Sequence, residues 1–310
     1  MTSRLERLVR AGTFVVTAEV VPPRGADGAV VRAQARELIG YADAANVTDN
    51  PRALVHMSPV AGAAFVAAAG LEPTMQITCR DRNRLGLAAD LFGGWALGAR
   101  NLFCLTGDPL GAGDEPDAIA VHDLAVEDLV RLASELRTRG RLPSGVAIAD
   151  PPAYFVGVAD VPLAPAYDPA RLERKLDAGA GFVMTQIVYD LDALADWLDL
   201  VRSRGITERA AVIVGVAPLR SAAQARFLNE RVPGVLVPPA LVAELEEAGD
   251  LAPQVGVARC VELVRRLREA PGVAGVHVMG MGHEEGVRAV IEGAGLLPRP
   301  PAPGPSRADG

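Results

Sequence analysis

Short apolar runs alternate with longer amphipathic segments from residue 13 almost to the end of the chain. The runs are rich in Val, Ile and Ala and stop at Gly, Pro or polar residues, as the strands of a parallel sheet do. The segments between them carry apolar residues three and four positions apart, for example Leu87 and Leu91, which is typical of helices. Strands are predicted at residues 13–21, 44–48, 74–78, 101–106, 154–159, 181–188, 211–216 and 275–279.

Helices are predicted between these strands and after the last one. They lie at residues 26–40, 59–70, 85–97, 123–139, 169–178, 192–203, 221–229, 240–247, 253–269 and 284–295. Eight pairs of a strand and a helix, with two extra helices before the last strand, match the α/β fold called the (β/α)₈ or TIM barrel. Two doubly wound domains fit less well, because no linker rich in Pro, Gly or Ser divides the chain.

The chain is therefore predicted to have a single catalytic domain with two short additions. A short amphipathic helix occupies residues 1–12, and the barrel extends over residues 13–297. The tail at residues 298–310 is rich in Pro and Gly and has no apolar periodicity, so we expect it to be disordered.

Composition narrows the functional class. The net charge of -7 disfavours partners such as nucleic acid or an anionic membrane, because phosphate binding needs a basic face. The three cysteines are not closely spaced and the four histidines are scattered, so neither disulfides nor a metal site are expected. With no signal peptide and no apolar stretch of about 18 residues, a cytoplasmic protein is expected. The sequence does not decide the oligomeric state, and a homo-oligomer is left open.

Polar residues at the carboxyl ends of barrel strands are the first candidates for chemistry. Glu19 lies inside the apolar strand FVVTAEVVPP, where a carboxyl is costly unless it is ion-paired or protonated, and a protonated one is a ready general acid. Asp108 follows Gly107 in LTGDP and faces the barrel mouth, unless it only caps a turn. Gln186 ends the sixth strand and either binds a heterocycle or bonds a neighbouring strand.

Two charged clusters open helices. Cys79 to Arg84 carries three arginines after the third strand, and these either bind an anion or form a solvated surface. Asp168, Arg171, Arg174 and Lys175 form the second cluster, whose default interpretation is surface decoration of a helix.

Several stretches together resemble the methylenetetrahydrofolate reductase family. They are AEVVPPRGAD on strand one, NVTDNP on strand two, ITCRDRNRLGLAADLFGGWALGARNLFCLTGDP across units three and four, RKLDAGAGFVMTQIVYD into strand six, and GVAPL on strand seven. The family's counterparts include an F-E-F-F-P-P strand, an L-T-C strand end, an R-G-D block and a T-Q-F-F-F-D block. The similarity covers residues 13 to 297 in order.

The resemblance implies a flavoenzyme that reduces 5,10-methylenetetrahydrofolate to 5-methyltetrahydrofolate in one-carbon metabolism and methionine biosynthesis. It implies FAD as the cofactor, NADH or NADPH as the hydride source, and ping-pong kinetics at one flavin face. Glu19 corresponds to the acid that opens the imidazolidine ring, and Asp108 to the aspartate that stabilises the 5-iminium cation and bonds the pterin. Gln186 matches a folate contact. The residues on flavin positions are Thr48, Asp168, Arg174 and Lys175.

Departures from the family bear mainly on the cofactor. The family's His before L-T-C is Gln76, its Arg of R-G-D is Thr106, and its Tyr after V-T is Asp49. Its strand-five Y-P-x-x-H is absent from VGVADVPLAP, and its aromatic on the loop after strand seven is Ala222 or Ala223. FMN, or direct hydride transfer without a flavin, therefore stays open beside FAD.

Two other interpretations are kept. A methyltransferase-type barrel would bind the same folate without redox chemistry, using the same Asp and Gln. A regulatory or scaffolding subunit would keep the fold and lose turnover, although the presence of Glu19, Asp108 and Gln186 argues against it. The reductase interpretation requires that Glu19 and Asp108 meet in one cavity.

Overall fold

A computed structural model describes residues 2–304, apart from the side chain of Ala112, and contains a closed barrel of eight parallel strands in sequential order. The strands are β1 (Val15–Val20), β2 (Ala44–Val47), β3 (Pro73–Thr78), β4 (Asn101–Leu105), β5 (Phe155–Asp160), β6 (Phe182–Ile187), β7 (Ala211–Val216) and β8 (Val273–Val278). Strand β1 pairs with both β2 and β8, which closes the barrel. The predicted TIM barrel is confirmed.

Twelve helices belong to the described part of the chain. They are α1 (Arg4–Arg10), α2 (Gly28–Leu38), α3 (Pro59–Ala69), α4 (Arg84–Ala96), α5 (Val126–Arg139), α6 (Pro169–Asp177), α7 (Leu191–Ser203), α8 (Ile206–Arg209), α9 (Ala222–Arg231), α10 (Pro239–Ala248), α11 (Ala252–Glu269) and α12 (Glu284–Gly293). Helix α10 is one of the two extra helices predicted between strands seven and eight. The single turn α8 and three short 3₁₀ segments were not predicted, because segments of three or four residues carry no periodicity.

Two apolar layers hold these elements together. The outer layer packs the helices on the barrel, with Met75 and Ile77 of β3 fully buried in it. The inner layer fills the lower barrel and includes Phe182, whose ring lies stacked on Phe103 and tilted against Phe155. Successive strand residues point to opposite faces, so one strand serves both layers.

Helix α1 covers the amino-terminal end of the barrel. Leu5 and Leu8 are fully buried against the inner layer. Backbone N–H groups of Arg4 and Leu5 donate to the Glu72 carboxylate at 2.6 and 2.8 Å, which satisfies the first turn of the helix. The barrel is therefore closed at this end and open at the other.

The start of the C-terminal tail contacts the amino-terminal end of the barrel. Arg299 is almost fully buried and donates to Asp43 at 2.6 Å and to the Phe14 carbonyl at 2.8 Å. The Pro300 carbonyl accepts a hydrogen bond from Arg4 at 2.7 Å. Arg299 and Pro300, at the start of the tail that is expected to be disordered, therefore make specific hydrogen bonds to the amino-terminal end of the barrel. Residues 305–310 lie outside the described part.

No helix within residues 2–304 is both long and apolar enough to cross a membrane.

Candidate active site

The open, carboxyl-terminal end of the barrel holds a cavity of about 550 Å³. This volume is in the range of small-molecule binding sites. The polar residues of its lining come from the ends of β1 to β5, from the segment leading into α6 and from α6 itself. They are Glu19, Thr48, Asp49, Gln76, Thr78, Thr106, Asp108, Asp160, Tyr167, Asp168, Arg171 and Lys175.

Glu19 and Asp108, expected to converge, line this same cavity. Glu19 is partly buried on β1, and burial raises the pKa of its carboxyl to about 7, with the nearby Glu284 carboxylate as a further, smaller cause. Half of the Glu19 carboxyls would then carry a proton at neutral pH. This is the state that a general acid requires.

Beside Glu19, a buried hydrogen bond joins β1 and β8. The Thr17 hydroxyl, two residues before Glu19 and on the same face of the strand, lies 2.9 Å from Nδ1 of His277. Burial lowers the pKa of His277 to about 4, so the imidazole is neutral at pH 7. The wall under the acid is polar but uncharged.

Asp108 lies in the loop after β4 and is exposed. Gly107 before it has a φ of 96°, and a Cβ at that position would approach the Arg80 Cβ to 2.7 Å, so the turn requires glycine. Oδ2 of Asp108 accepts a 2.6 Å hydrogen bond from the Arg52 backbone N–H. The carboxylate thus anchors the loop after β2 rather than capping its own turn.

The loop after β2 has an unusual backbone. Asn50, Arg52 and Ala53 all have φ between 44° and 58°, a conformation that costs non-glycine residues about 1–3 kcal/mol each. Asp108 holds the Arg52 N–H, and Asp114 accepts from the Val55 N–H at 2.8 Å and from Arg24. The two loops are therefore fixed to each other at the cavity rim.

The arginines after β3 are occupied by carboxylates. Arg80 pairs with Asp81 at 2.6 Å, and Arg84 pairs with Asp123 at 2.8 Å. Arg82 donates to Asp49, whose side chain is buried and also accepts from the Thr78 N–H and hydroxyl. The geometry favours a network of ion pairs over the anion site considered for this stretch.

Lys175 and Asp160 form the buried polar wall between β5 and α6. Lys175 donates to the Ala159 carbonyl at 2.7 Å, and burial lowers its pKa. Burial raises the pKa of Asp160, which accepts from the Tyr167 hydroxyl at 2.7 Å. Asp168 caps helix α6 through the Ala170 N–H and also reaches the cavity.

Two of the expected site residues lie apart from this lining. Arg174 is largely exposed and faces Glu127 across 3.7 Å. Gln186 lies where the pairing of β6 with β7 becomes irregular, and its side-chain oxygen accepts from the Ile187 N–H at 2.9 Å. Of the seven expected residues, Glu19, Thr48, Asp108, Asp168 and Lys175 are gathered around one cavity.

Three polar residues near the site escaped the sequence analysis. Glu284 begins α12, and only closure of the barrel brings it near Glu19. Asp160 and Tyr167 flank a proline-rich loop without a recognisable pattern. Asp160 directly follows the strand predicted at residues 154–159, and an acid in that position at a barrel strand end is a signal of a site residue.

The residues within 2–304 include no group of three or more His, Cys, Asp or Glu side chains that could hold a metal ion. The cysteines are buried and free, and burial raises the pKa of Cys79 and Cys260 to about 12. They are core residues and carry no reactive thiolate at neutral pH.

A family model and the curated relatives point to the same family of proteins. The family model for methylenetetrahydrofolate reductase matches residues 4–295. A probable methylenetetrahydrofolate reductase (NADPH) of Caenorhabditis elegans is 25% identical over 94% of this chain. The 5,10-methylenetetrahydrofolate reductase of Pectobacterium carotovorum is 27% identical over 74% of this chain and 72% of its own length.

Two further facts qualify the likeness. The chain spans 44% of the Caenorhabditis elegans relative and 37% and 40% of relatives from Schizosaccharomyces pombe and Saccharomyces cerevisiae. An uncharacterized Clostridium thermocellum protein that binds two copies of 5-methyl-5,6,7,8-tetrahydrofolic acid has the same fold, with a TM-score of 0.66 and 12% identity over 95% of this chain and 99% of that one. Because the family model matches nearly its whole length, the chain belongs to the methylenetetrahydrofolate reductase family.

Proposed function

We propose that this chain reduces 5,10-methylenetetrahydrofolate to 5-methyltetrahydrofolate with a hydride that originates from NADH or NADPH. The observation that carries the proposal is the meeting of Glu19 and Asp108 on one cavity, in a chain of this family. The pKa of Glu19 is raised to about 7, and Asp108 is exposed at the cavity. Ring opening needs a proton donor, and the cation that follows needs a negative charge.

Glu19 acts as the general acid. It transfers its proton to N10 of the folate as the bond between N10 and the methylene carbon breaks, and the imidazolidine ring opens. The electron pair of N5 then forms the 5-iminium cation. A carboxyl with a pKa of about 7 suits this step, because it is protonated in half of the molecules yet acidic enough to donate.

Asp108 stabilises the cation. A carboxylate placed beside developing positive charge in a cavity lowers the barrier to its formation. The hydride adds to the methylene carbon and gives the N5-methyl product, after which Glu19 takes up one proton. Gln186 lies outside the cavity lining but near the carboxyl end of β6, so it is the proposed contact to a part of the pterin that extends beyond the lining; its side-chain oxygen holds the Ile187 N–H, and its amide NH₂ would donate.

The cavity is chemically suited to a flavin. The Thr48 hydroxyl is buried at the cavity wall without a protein partner, as expected of a group that bonds a ligand. Arg171 and Lys175 are the two basic residues of the lining and would hold a phosphate group. A bound flavin would supply a carrier that accepts a hydride from the nicotinamide and delivers it to the folate. In this arrangement Arg171, rather than Arg174, joins Thr48, Asp168 and Lys175.

The purified full chain tests the proposal. It is incubated anaerobically with NADH or NADPH and methylenetetrahydrofolate, and the product is identified by mass. Formation of 5-methyltetrahydrofolate is expected. Absence of this product with both nucleotides, with and without added FAD or FMN, would refute the reductase.

The same sample reports on the cofactor. A yellow protein that NADH bleaches and methylenetetrahydrofolate recolours supports the flavin route, and denaturation identifies the released chromophore. A colourless protein that still forms the product would show that the hydride passes directly from the nicotinamide. Neither result alters the proposed roles of Glu19 and Asp108.

A further inference from the structure

A row of polar side chains crosses four neighbouring strands inside the barrel. The strand register pairs Glu19 with Asn46, Asn46 with Thr74, and Thr74 with Asn101. Glu19 is the fifth of six residues in β1, whereas Asn101 is the first residue of β4. Because barrel strands tilt by roughly 36° from the axis, such a row descends from the cavity toward the amino-terminal end.

The side chains of this row lie inside the barrel. The Asn46 amide donates to Sδ of Met184, a residue of the inner apolar layer, at 3.2 Å. Thr74 shares its strand face with Gln76, which lines the cavity. At the lower end, the Asn101 amide donates to the Glu72 carboxylate at 2.9 Å. The row thus extends from Glu19 to Glu72.

Each of the three middle residues has a buried polar atom with no protein partner. These atoms are Oδ1 of Asn46, Oγ1 of Thr74 and Oδ1 of Asn101. The three residues are at most 1% exposed. A buried polar atom without a hydrogen-bond partner lowers the free energy of unfolding by about 1–3 kcal/mol. We therefore expect the three atoms of this row to bind a partner of the same kind. In proteins that partner is internal water.

We propose that Asn46, Thr74 and Asn101 hold a file of ordered water molecules that delivers protons to Glu19 from the amino-terminal end of the barrel. The proposal rests on the function proposed above. Each proton that Glu19 loses to folate is replaced by one from the adjacent water, which takes one from the next, and the last comes from solvent near the partly exposed Glu72. The row gains and loses no net charge, and the three side chains act as positioning residues.

Such a route meets a need of the site. Folate bound in the cavity separates Glu19 from solvent at the mouth, and complexes formed with an ionised Glu19 must gain a proton before the ring can open. His277 cannot supply it near pH 7, because burial keeps its pKa at about 4. Glu284 is the acidic neighbour from α12, and Asp49 is tied to Arg82. The other charged groups of the cavity are Asp108, Asp160, Asp168, Arg171 and Lys175.

The first test is a crystal structure of the protein at a resolution that shows ordered water. Water is expected within hydrogen-bond distance of the three unpartnered atoms of Asn46, Thr74 and Asn101. A dry interior at these atoms overturns the proposal whatever the activity of the protein. This part of the test does not depend on the reductase function.

The second test uses Thr74→Val, with Thr74→Ser as the matched control that keeps the hydroxyl. The reduced protein is mixed with methylenetetrahydrofolate at a pH well above the pKa of Glu19, and the pH is then lowered rapidly below 7. Wild type and Thr74→Ser should reduce the bound folate at once. In Thr74→Val, reduction of the bound folate should be slower by about tenfold or more, which is a part of the rate gain that general acid catalysis contributes. Its rate should then equal that of folate dissociation, because Glu19 regains its proton only after the folate leaves.

The outcomes are distinct. A Thr74→Val rate equal to wild type, with a folded variant by thermal unfolding, refutes proton delivery along the row. A loss shared by Thr74→Ser would mark a packing effect and also refute it. If no form of the protein reduces folate, the proposed function fails, while the crystallographic test still decides the water file.

Discussion

Each end of the barrel contains a carboxylic acid among buried groups, but the two acids differ in the hydrogen-bond donors around them. At the amino-terminal end, Asp43 has no exposed side-chain surface and accepts from Arg299 at 2.6 Å, from Arg4 at 3.1 Å and from the Val16 N–H at 2.9 Å. At the carboxyl-terminal end, the Glu19 carboxyl has no hydrogen-bond partner within residues 2–304, and the Glu284 carboxylate lies near it.

The number of donors around each acid indicates whether it stabilises the fold or takes part in a reaction. A buried carboxylate surrounded by donors stabilises the elements that supply them, here α1, β1 and the start of the tail. A carboxyl without donors keeps its proton to a higher pH, at a cost in stability, and can give that proton away. Five changes of side chain or of pH test these roles, and the one with the largest effect comes first.

Glu19→Gln should abolish folate reduction and leave reduction of the protein by NADH nearly intact. Loss of a positioned general acid costs about 10²–10⁴ in rate, and the amide cannot donate a proton to N10. Stopped-flow measurement of the two half-reactions separates these effects. An equal loss in both would remove Glu19 from the acid role.

Asp108→Asn should slow folate reduction by about 10² and weaken folate binding, because the cation loses its charge partner. Asp114→Asn is the matched control, since Asp114 anchors the same loop after β2 through the Val55 N–H and Arg24. Single-turnover rates for the two variants distinguish charge stabilisation from loop anchoring. Equal losses would assign Asp108 to anchoring alone.

Arg299→Ala should lower the free energy of unfolding by about 3 kcal/mol, because it leaves Asp43 buried with one arginine fewer. Arg209→Ala, which breaks an exposed pair with Asp177, should change it by no more than about 1 kcal/mol. Urea unfolding measures both, and kcat/KM for each folded variant should match wild type. A negligible effect at Arg299 would mean that the tail adds nothing to the barrel.

The smallest effect concerns pH. Folate reduction should decline as pH rises through about 7, because Glu19 must carry its proton. Glu284→Gln removes a like charge, lowers the pKa of Glu19 and moves this decline to lower pH by a fraction of a unit. A pH profile of the folate half-reaction checks the shift, and a shift to higher pH would contradict the stated charge effect.

Stability should change in the same window. The pKa of Glu19 in the folded state lies above its ordinary value of 4.5, so the folded protein binds this proton more tightly than the unfolded chain does. The resulting contribution to stability is fully present below pH 4.5. This contribution is lost as pH rises through about 7, and wild type should lose stability relative to Glu19→Gln between these limits. Unfolding titrations at several pH values measure the difference.

The fold could be predicted from the sequence because buried parallel strands are short apolar runs separated by helical periodicity. Glu19 could be predicted for the same reason, since a lone acid within such a run has few explanations. Asp108 was recognisable by its place after a strand and a glycine.

The remaining features depend on contacts between distant segments. Glu284 reaches the surroundings of Glu19 only when β8 closes on β1. The side chain of Arg174 and the bulge at Gln186 are set by neighbours that no local pattern reveals. Arg299 resembled part of a disordered tail because its partner Asp43 is 256 residues away.

The state of Glu19 itself is the most direct measurement. Infrared difference titration of wild type against Glu19→Gln isolates the carbonyl band of the protonated carboxyl. With a Glu19 pKa of about 7, this band should disappear with a midpoint near pH 7. A midpoint near the ordinary value of 4.5 would contradict it, because the acid would then be ionised before the folate arrives.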